Sequence, residues 1–166
     1  RLFTAHGLVM LFIVFIPGIT SSLGNFFLPI QIGAKDLAFP RINLYSYYFY
    51  VLGILISVYC VFFGSIDTGW TLYAPYSITS GANVYLLCVA VLVFGVSSIM
   101  TSINFLVSTI KLRATGLNWF NIPLFTWGRF ASSIIQIVAT PILGITIILL
   151  VVEKFFSIGI FNPKLG

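Results

Sequence analysis

Residues 6–43 have the sequence HGLVMLFIVFIPGITSSLGNFFLPIQIGAKDLAFPRIN, and this stretch decides the fold. Its apolar run from Leu8 to Ile30 is slightly longer than the roughly 20 residues that an α-helix needs to cross a bilayer. His6 precedes the run and Asp36 follows it. The chain has one histidine and three acidic residues in all. Because two of these four groups lie at the ends of one segment, we expect the segment to have a chemical function in addition to a packing role.

The composition of the whole chain excludes a water-soluble domain. Of the 166 residues, 60% are hydrophobic and only 7% are charged, whereas soluble domains have about 25% charged residues. The apolar runs are continuous and do not alternate, so an outer-membrane β-barrel is not expected. The sequence therefore predicts an all-α fold, a polytopic transmembrane helix bundle embedded in a lipid bilayer.

The apolar runs predict about four spans within a single membrane domain that covers residues 1–166. The predicted spans are 8–30, 43–63, 84–110 and 123–152. Pro17 and Gly18 interrupt the first span, and Pro141 predicts a kink near the middle of the fourth. Cys60 and Cys88 lie in or beside apolar runs, which predicts packed thiols.

The loops differ in charge, which predicts the orientation of the spans. Basic residues occupy the first and third loops, at Lys35, Arg41, Lys111 and Arg113, whereas residues 64–83 contain no Lys or Arg. By the positive-inside rule, Asp36 lies on the cytoplasmic or matrix side and His6 lies near the opposite face. The formal net charge of +5 is therefore read as a topology signal, and no nucleic-acid partner is predicted.

Four aromatic or charged side chains mark the edges of the bundle. Trp70, Tyr73 and Tyr76 of the second loop are typical of an interfacial aromatic belt. Arg129 lies one or two turns inside the fourth span. Snorkelling of its long side chain toward the basic face is expected, and a functional partner inside the bundle is the alternative.

The single imidazole of His6 is a candidate ligand for a metal or a haem. One ring nitrogen can bind the iron while a hydrogen bond orients the other. With one histidine in the chain, any such site must be completed by another segment. A structural histidine with an ordinary hydrogen bond is the alternative.

Polar residues in the third span fall on one helix face. They are Ser97, Thr101, Asn104 and Ser108, and Ser98 and Ser102 widen the face. The hydroxyls could simply bond to their own helix backbone, but an amide needs a partner helix or water. A file of such groups beside water could also conduct protons, and the spacing alone leaves both interpretations open.

Asp36 has amides near it at the basic end of the bundle. Asn43 follows Asp36 by seven residues, and Asn25 lies at the same end of the first span. A carboxylate surrounded by amides at the mouth of a bundle can collect protons. The alternative is a solvated loop carboxylate beside Lys35 and Arg41.

Several blocks of sequence, in the same order, resemble subunit I of the haem–copper terminal oxidases. They are residues 3–7, Gly24-Asn25 with Pro29, 32–43, 68–73, 95–99, 103–105, 123–127 and 161–166. The resemblance runs along the whole chain and implies spans two to five of a fold with about twelve. It also implies that these residues are part of a longer subunit and are not active alone.

The resemblance implies roles for residues at both ends of the bundle. His6 matches an axial ligand of a low-spin haem, and Trp70 matches an aromatic residue near the haem propionates. Asp36 matches the mouth of a D-type proton channel. The other residues that match this channel are Asn25, Asn43, Ser97, Ser98 and Asn104. A second haem and a copper ion would be bound by segments outside this chain, which has no residue that matches the catalytic centre.

The sequence thus predicts part of the catalytic subunit of a proton-pumping cytochrome c oxidase, which reduces O₂ to water. Implied partners are the remainder of subunit I, subunits II and III, and cytochrome c. A quinol-oxidising member of the same family and a non-catalytic membrane scaffold are the alternatives. The predicted location is a bacterial cytoplasmic membrane, with the mitochondrial inner membrane as the alternative.

Overall fold

Five helices and one π-helical segment make up the described part of the chain. The computed structural model describes residues 2–64, 68–74, 77 and 83–161, so Asp67, Tyr76 and residues 162–166 lie outside it. The helices are α1 (Leu2–Leu8), which continues through the π segment Val9–Ile19 into α2 (Thr20–Ile32), then α3 (Pro40–Phe63), α4 (Asn83–Lys111) and α5 (Leu124–Phe156).

Four of the resulting rods are long and apolar enough to cross a membrane, and the predicted all-α class is confirmed. They are Leu2–Ile32, Pro40–Phe63, Val84–Lys111 and Leu124–Glu153. The helices extend beyond most of the predicted span ends because helical hydrogen bonding continues through polar interfacial residues such as Gln31. The fourth rod remains helical through Pro141.

Pro17 explains the π segment in the first rod. Proline has no N–H, and its ring collides with the carbonyl four residues earlier, here that of Ile13. The helix widens over Val9–Ile19, and the Tyr50 hydroxyl of α3 donates to the Ile13 carbonyl at 3.0 Å. Gly18 is required beside it, because a Cβ there would lie 2.7 Å from the Ile13 oxygen.

The turn after α2 fixes the start of the first loop. Gly33 ends α2 with φ 73°, in the left-handed region that glycine adopts without strain. The N–H of Ala34 then donates to the Pro29 carbonyl at 2.9 Å. Pro40 begins α3 at a position where its missing N–H costs no hydrogen bond. Asp36 therefore lies on a short loop fixed at both ends.

Helix α4 lies at the centre of the bundle, between α3 and α5. Half of its most apolar window is buried, against 11–22% in the other three rods. Cys60 of α3 and Cys88 of α4 are free thiols, buried in a cluster with Leu87 and Val91. This is the packing expected of them from the sequence.

Candidate functional site

A polar cavity of about 140 Å³ lies between α2, α3 and α4. Its polar lining consists of Ser21, Ser22, Asn25, Asn43, Ser46, Tyr47, Tyr50, Ser97 and Thr101. A cavity of this size has room for several water molecules. Three residues predicted from the sequence, Asn25, Asn43 and Ser97, are thus brought together although they come from three different helices.

The cavity is elongated along the bundle. On α3 the lining runs from Asn43 to Tyr50, which is two helical turns, or about 10 Å. On the first rod, which runs in the opposite direction, it extends from Asn25 of α2 to Pro17 of the π segment. The Asn25–Asn43 end faces the first loop, and the Tyr50–Pro17 end lies deeper in the bundle.

One hydrogen bond joins α4 to α3 along the cavity, and two more lie within these helices. The Ser97 hydroxyl donates to the Ser46 carbonyl at 2.7 Å. The Ser46 hydroxyl donates to the Asn43 carbonyl at 2.7 Å, and the Thr101 hydroxyl donates to the Ser97 carbonyl at 3.1 Å. Asn25 differs from these, because its side-chain oxygen is buried and has no donor within the described part of the chain. A buried amide oxygen is normally satisfied, so cavity water is the expected donor.

Asn104 and Ser108 of α4 hold the loop that carries Asp36. The Phe39 N–H donates to Asn104 Oδ1 at 2.9 Å, and Asn104 Nδ2 donates to the Phe39 carbonyl at 3.2 Å. The Ala38 N–H donates to the Ser108 hydroxyl at 2.8 Å. The partner that Asn104 needs is therefore the backbone of this loop, and Asn104 does not line the cavity.

Asp36 itself is exposed to solvent at the surface of that loop. One carboxylate oxygen accepts a hydrogen bond from the Leu37 N–H at 2.7 Å. The other polar residues of the α4 face point elsewhere. Ser98 is buried outside the cavity, and Ser102 donates to Gln136 Oε1 of α5 at 2.9 Å.

His6 and Trp70 lie together at the other end of the first rod. A Cβ added at Gly7 would lie 3.4 Å from Trp70 Cβ, so the half-exposed indole packs against Gly7, the residue that follows His6. His6 is exposed. Helical rise puts it about 40 Å from the Asp36 end of the rod.

Exposed apolar side chains surround His6 on its own helix face. Leu2, Phe3 and Val9 lie three or four residues from His6, on the same helix face, and all three are exposed. The described residues contain no group of three His, Cys, Asp or Glu side chains that could hold a metal. The ligand role of His6, in a site completed by another segment, stays a prediction.

Arg129 does not snorkel out of the bundle as expected. Only 7% of it is exposed, and its buried Nε has no hydrogen-bond partner among the residues that the structure describes. Its guanidinium carbon lies 4.8 Å from the centre of the Phe105 ring, and a Cβ on Gly24 would lie 3.2 Å from its Nε. The missing side chain at Gly24 leaves the space, and the aromatic face of Phe105 attracts the cation.

Sequence reasoning missed three residues. Ser46 and Tyr50 line the cavity, and their spacing of three and seven residues from Asn43 places all three on one face of α3. Glu153 is fully buried at the far end of α5 and accepts a hydrogen bond from the Phe161 N–H at 2.7 Å. A buried carboxylate at a helix end gives no periodic signal.

The chain is similar to subunits of two kinds of bacterial oxidase. It is 35% identical to subunit 1 of the cytochrome bo(3) ubiquinol oxidase of Buchnera aphidicola (subsp. Baizongia pistaciae) and covers 26% of that subunit, with 100% of this chain aligned. It is 37% identical to cytochrome c oxidase subunit 1 of Cereibacter sphaeroides and 34% identical to that of Thermostichus vulcanus, covering 30% of each, with 98% of this chain aligned.

The family model described as cytochrome c and quinol oxidase polypeptide I matches residues 1–166. The chain spans about a quarter to a third of the length of the relatives above. The predicted resemblance is confirmed. The chain belongs to the cytochrome c and quinol oxidase polypeptide I family of haem–copper oxidoreductases, which are subunits of larger membrane complexes.

Proposed function

We propose that this chain is the part of an oxidase subunit I that takes up protons and supplies one ligand of an electron-transferring haem. The whole enzyme would reduce O₂ to water with electrons from cytochrome c and pump protons. The observation that carries the proposal is the polar cavity, which joins Asn25, Asn43 and Ser97 behind a loop that carries an exposed carboxylate.

In this proposal Asp36 collects protons and the cavity passes them inward. Proton hopping requires a continuous chain of hydrogen-bonding groups, and water held between Asn43, Asn25 and Ser97 would provide one. Asn104 contributes by positioning, because its two bonds to Phe39 hold the loop. Ser98 lies outside the cavity, so a direct contact with the proton is not part of the proposal.

His6 would be one axial ligand of the low-spin haem. A haem iron held by two imidazoles has no open coordination site and therefore transfers electrons. The exposed imidazole can donate its lone pair to the iron, and the apolar face of Leu2, Phe3 and Val9 can lie against a macrocycle. Trp70 packs against the neighbouring Gly7, and its indole N–H could donate to a carboxylate of the same group.

Cytochrome c is the proposed electron donor, and quinol is a second candidate. The chain is 35% identical to a ubiquinol oxidase subunit and 34–37% identical to cytochrome c oxidase subunits. These identities are too similar to discriminate between the two donors. The bacterial sources of these relatives support a bacterial cytoplasmic membrane as the location. Subunits II and III are the proposed partners within the complex.

Replacing Asp36 with asparagine tests the proton-uptake role in the assembled oxidase. The variant removes the titratable group at the mouth but keeps an oxygen that can accept from the Leu37 N–H, so the loop should keep its fold. We expect proton uptake in a single turnover, followed with a pH-sensitive dye, to become at least about tenfold slower. The absorption spectrum of the haems should stay unchanged.

Asn118→Asp is a control, because it places a carboxylate in the other basic-side loop without removing Asp36. It should leave proton uptake unchanged. Unchanged proton uptake in Asp36→Asn would contradict the proposal.

A further inference from the structure

Arg129 is a buried cation that forms no ion pair in the described part of the chain. Only 7% of the residue is exposed, and its Nε is fully buried with no hydrogen-bond partner among the described residues. The guanidinium carbon lies 4.8 Å from the centre of the Phe105 ring. An aromatic face offsets only part of the cost of taking a guanidinium out of water, and charged side chains inside membrane bundles are normally paired. Arg129 therefore needs an anion.

The acidic residues of this chain do not supply that anion. The chain has three of them. Asp36 is exposed on the first loop, where one carboxylate oxygen accepts from the Leu37 N–H. Glu153 lies on α5 itself, but helical rise puts it about 36 Å further along the helix. Asp67 lies outside the described residues, in the sequence that follows α3 at its end away from the first loop. The counter-charge must therefore come from a group outside this chain.

The position of the guanidinium favours a protein partner over a lipid headgroup. Arg129 lies about 8 Å from the start of α5, and its side chain faces Gly24 of α2 and Phe105 of α4. One turn nearer to the start of α5, the Thr126 hydroxyl donates to Gln31 Oε1 of α2 at 2.7 Å. This hydrogen bond closes the seam between α2 and α5 on the headgroup side of Arg129, so a lipid phosphate has no direct route along the seam.

Further protein segments have room to approach α5. Only 11% of the apolar window of Leu124–Glu153 is buried within this chain, and the chain covers 26–30% of the length of its relatives. The two Nη nitrogens of Arg129 are not among the fully buried atoms that lack a partner. A guanidinium can bind a carboxylate through two parallel N–H···O bonds. An aspartate or glutamate on a neighbouring segment matches this chemistry.

We propose that Arg129 forms a buried ion pair with the carboxylate of an aspartate or glutamate in another membrane-spanning segment of the assembled oxidase. The pair fixes that segment against the face that α2, α4 and α5 form around Arg129. The pairing is independent of the proposed proton uptake, since Arg129 does not line the polar cavity.

Replacing Arg129 with methionine tests the pair by the sign of its effect on stability. Methionine keeps an unbranched apolar stem and removes the charge. With a partner carboxylate, the variant leaves that carboxylate buried and unpaired, so the apparent melting temperature of the purified oxidase should fall by at least about 3 °C at pH 8. Without a partner, the variant removes a costly buried charge, and the melting temperature should stay the same or rise. That result would overturn the inference.

The pH dependence of the loss identifies the partner as a carboxylate. A buried, unpaired carboxylate takes up a proton more readily than one in the unfolded chain, where its pKa is about 4. The variant therefore recovers stability as the pH falls, and its loss relative to wild type should shrink at least about twofold between pH 8 and pH 5.5. Gly24 and Phe105, which face Arg129 from α2 and α4, do not titrate. The charged groups of the first loop, which are the same in both proteins, are Lys35, Asp36 and Arg41.

Arg113→Met is the matched control, because the Arg113 guanidinium also lies over an aromatic ring, 4.0 Å from the centre of Trp119, but on the third loop. Its effect should be small and independent of pH. A pH-dependent loss of the same size in both variants would overturn the inference. So would a loss in Arg129→Met that is equal at pH 8 and pH 5.5. If that equal loss disappears when bound phospholipid is exchanged for detergent, a lipid phosphate is the partner, and if it persists, lost packing explains it.

Discussion

At the residue scale, Gly24 decides how closely α2, α4 and α5 approach one another. A Cβ at this position would lie 2.6 Å from two ring atoms of Phe105 and 3.2 Å from Arg129 Nε. The ring and the guanidinium therefore occupy the space that any other residue would fill. This fit also explains why Arg129 is buried although the sequence suggested snorkelling. The sequence shows that position 129 has a long cationic side chain. It does not show that Gly24, on another helix, leaves the space in which this side chain is buried.

Replacing Gly24 with alanine should destabilise the bundle because the Phe105 ring cannot move without displacing Arg129. We expect a loss of about 1–3 kcal/mol, the usual cost of overpacking a core. The measurement is denaturant unfolding of the purified complex, followed by tryptophan fluorescence. Gly128→Ala is the control, because a Cβ there meets no atom within 4 Å and alanine favours helix. Destabilisation of the same size in both variants would contradict this interpretation.

At the element scale, one polar face of α4 performs two separate tasks. Ser97 and Thr101 line the cavity, whereas Asn104 and Ser108 bind the backbone of the first loop. The helical spacing predicted that the four residues share a face, and they do. The spacing could not predict which of these residues line the cavity and which bind the loop. Their partners belong to α3 and to the first loop, whose positions depend on the packed bundle.

The π segment shows the same limit of sequence reasoning. Pro17 marked an interruption of the first span, and the helix is indeed widened there. The Ile13 carbonyl, which loses its helical partner at Pro17, accepts a hydrogen bond from the Tyr50 hydroxyl of α3. A proline predicts that a carbonyl loses its helical partner, but only the packed bundle shows which group replaces that partner.

Replacing Asn104 with leucine should release the first loop from α4. The change keeps a similar volume but leaves the N–H and the carbonyl of Phe39 without their side-chain partner. We expect amide hydrogen exchange of residues 37–39 to accelerate about tenfold, as the loss of one to two buried hydrogen bonds implies. Mass spectrometry of the intact complex measures it.

Ser102→Ala is the control for this loop experiment. Its hydroxyl donates to Gln136 of α5, away from the loop, and it is equally buried. Exchange in the loop should stay at the wild-type rate in this variant. Protection that persists in Asn104→Leu would show that the turn at Gly33 and Pro40 fixes the loop without help from α4.

At the scale of the whole molecule, the four rods leave large apolar faces uncovered. Only 17% of the apolar window of Leu2–Ile32 and 11% of that of Leu124–Glu153 are buried within the chain. Lipid and further protein segments are the natural cover, since the chain spans only 26–30% of the length of its relatives. The family and the class of fold followed from the sequence, because continuous apolar runs and ordered motifs are local properties.

The residues proposed for electron transfer and those proposed for proton uptake lie at opposite ends of the bundle. His6 and Gly7, against which Trp70 packs, lie at one end, and the loop with Asp36 lies at the other, with the polar cavity on its inner side. In the proposed function, electrons arrive near one face of the membrane and protons enter from the other. The electron-transfer part of the proposed function requires that His6 binds a haem.

The most direct test is the reduced-minus-oxidised optical spectrum of the purified membrane complex, recorded with and without CO, for the wild type and for His6→Ala. We predict that the wild type shows a low-spin haem band and a second, CO-reactive haem. The low-spin band should disappear in His6→Ala, because one of its two axial imidazoles is gone. An intact low-spin band in the variant, or a wild-type complex without haem, would contradict the assignment.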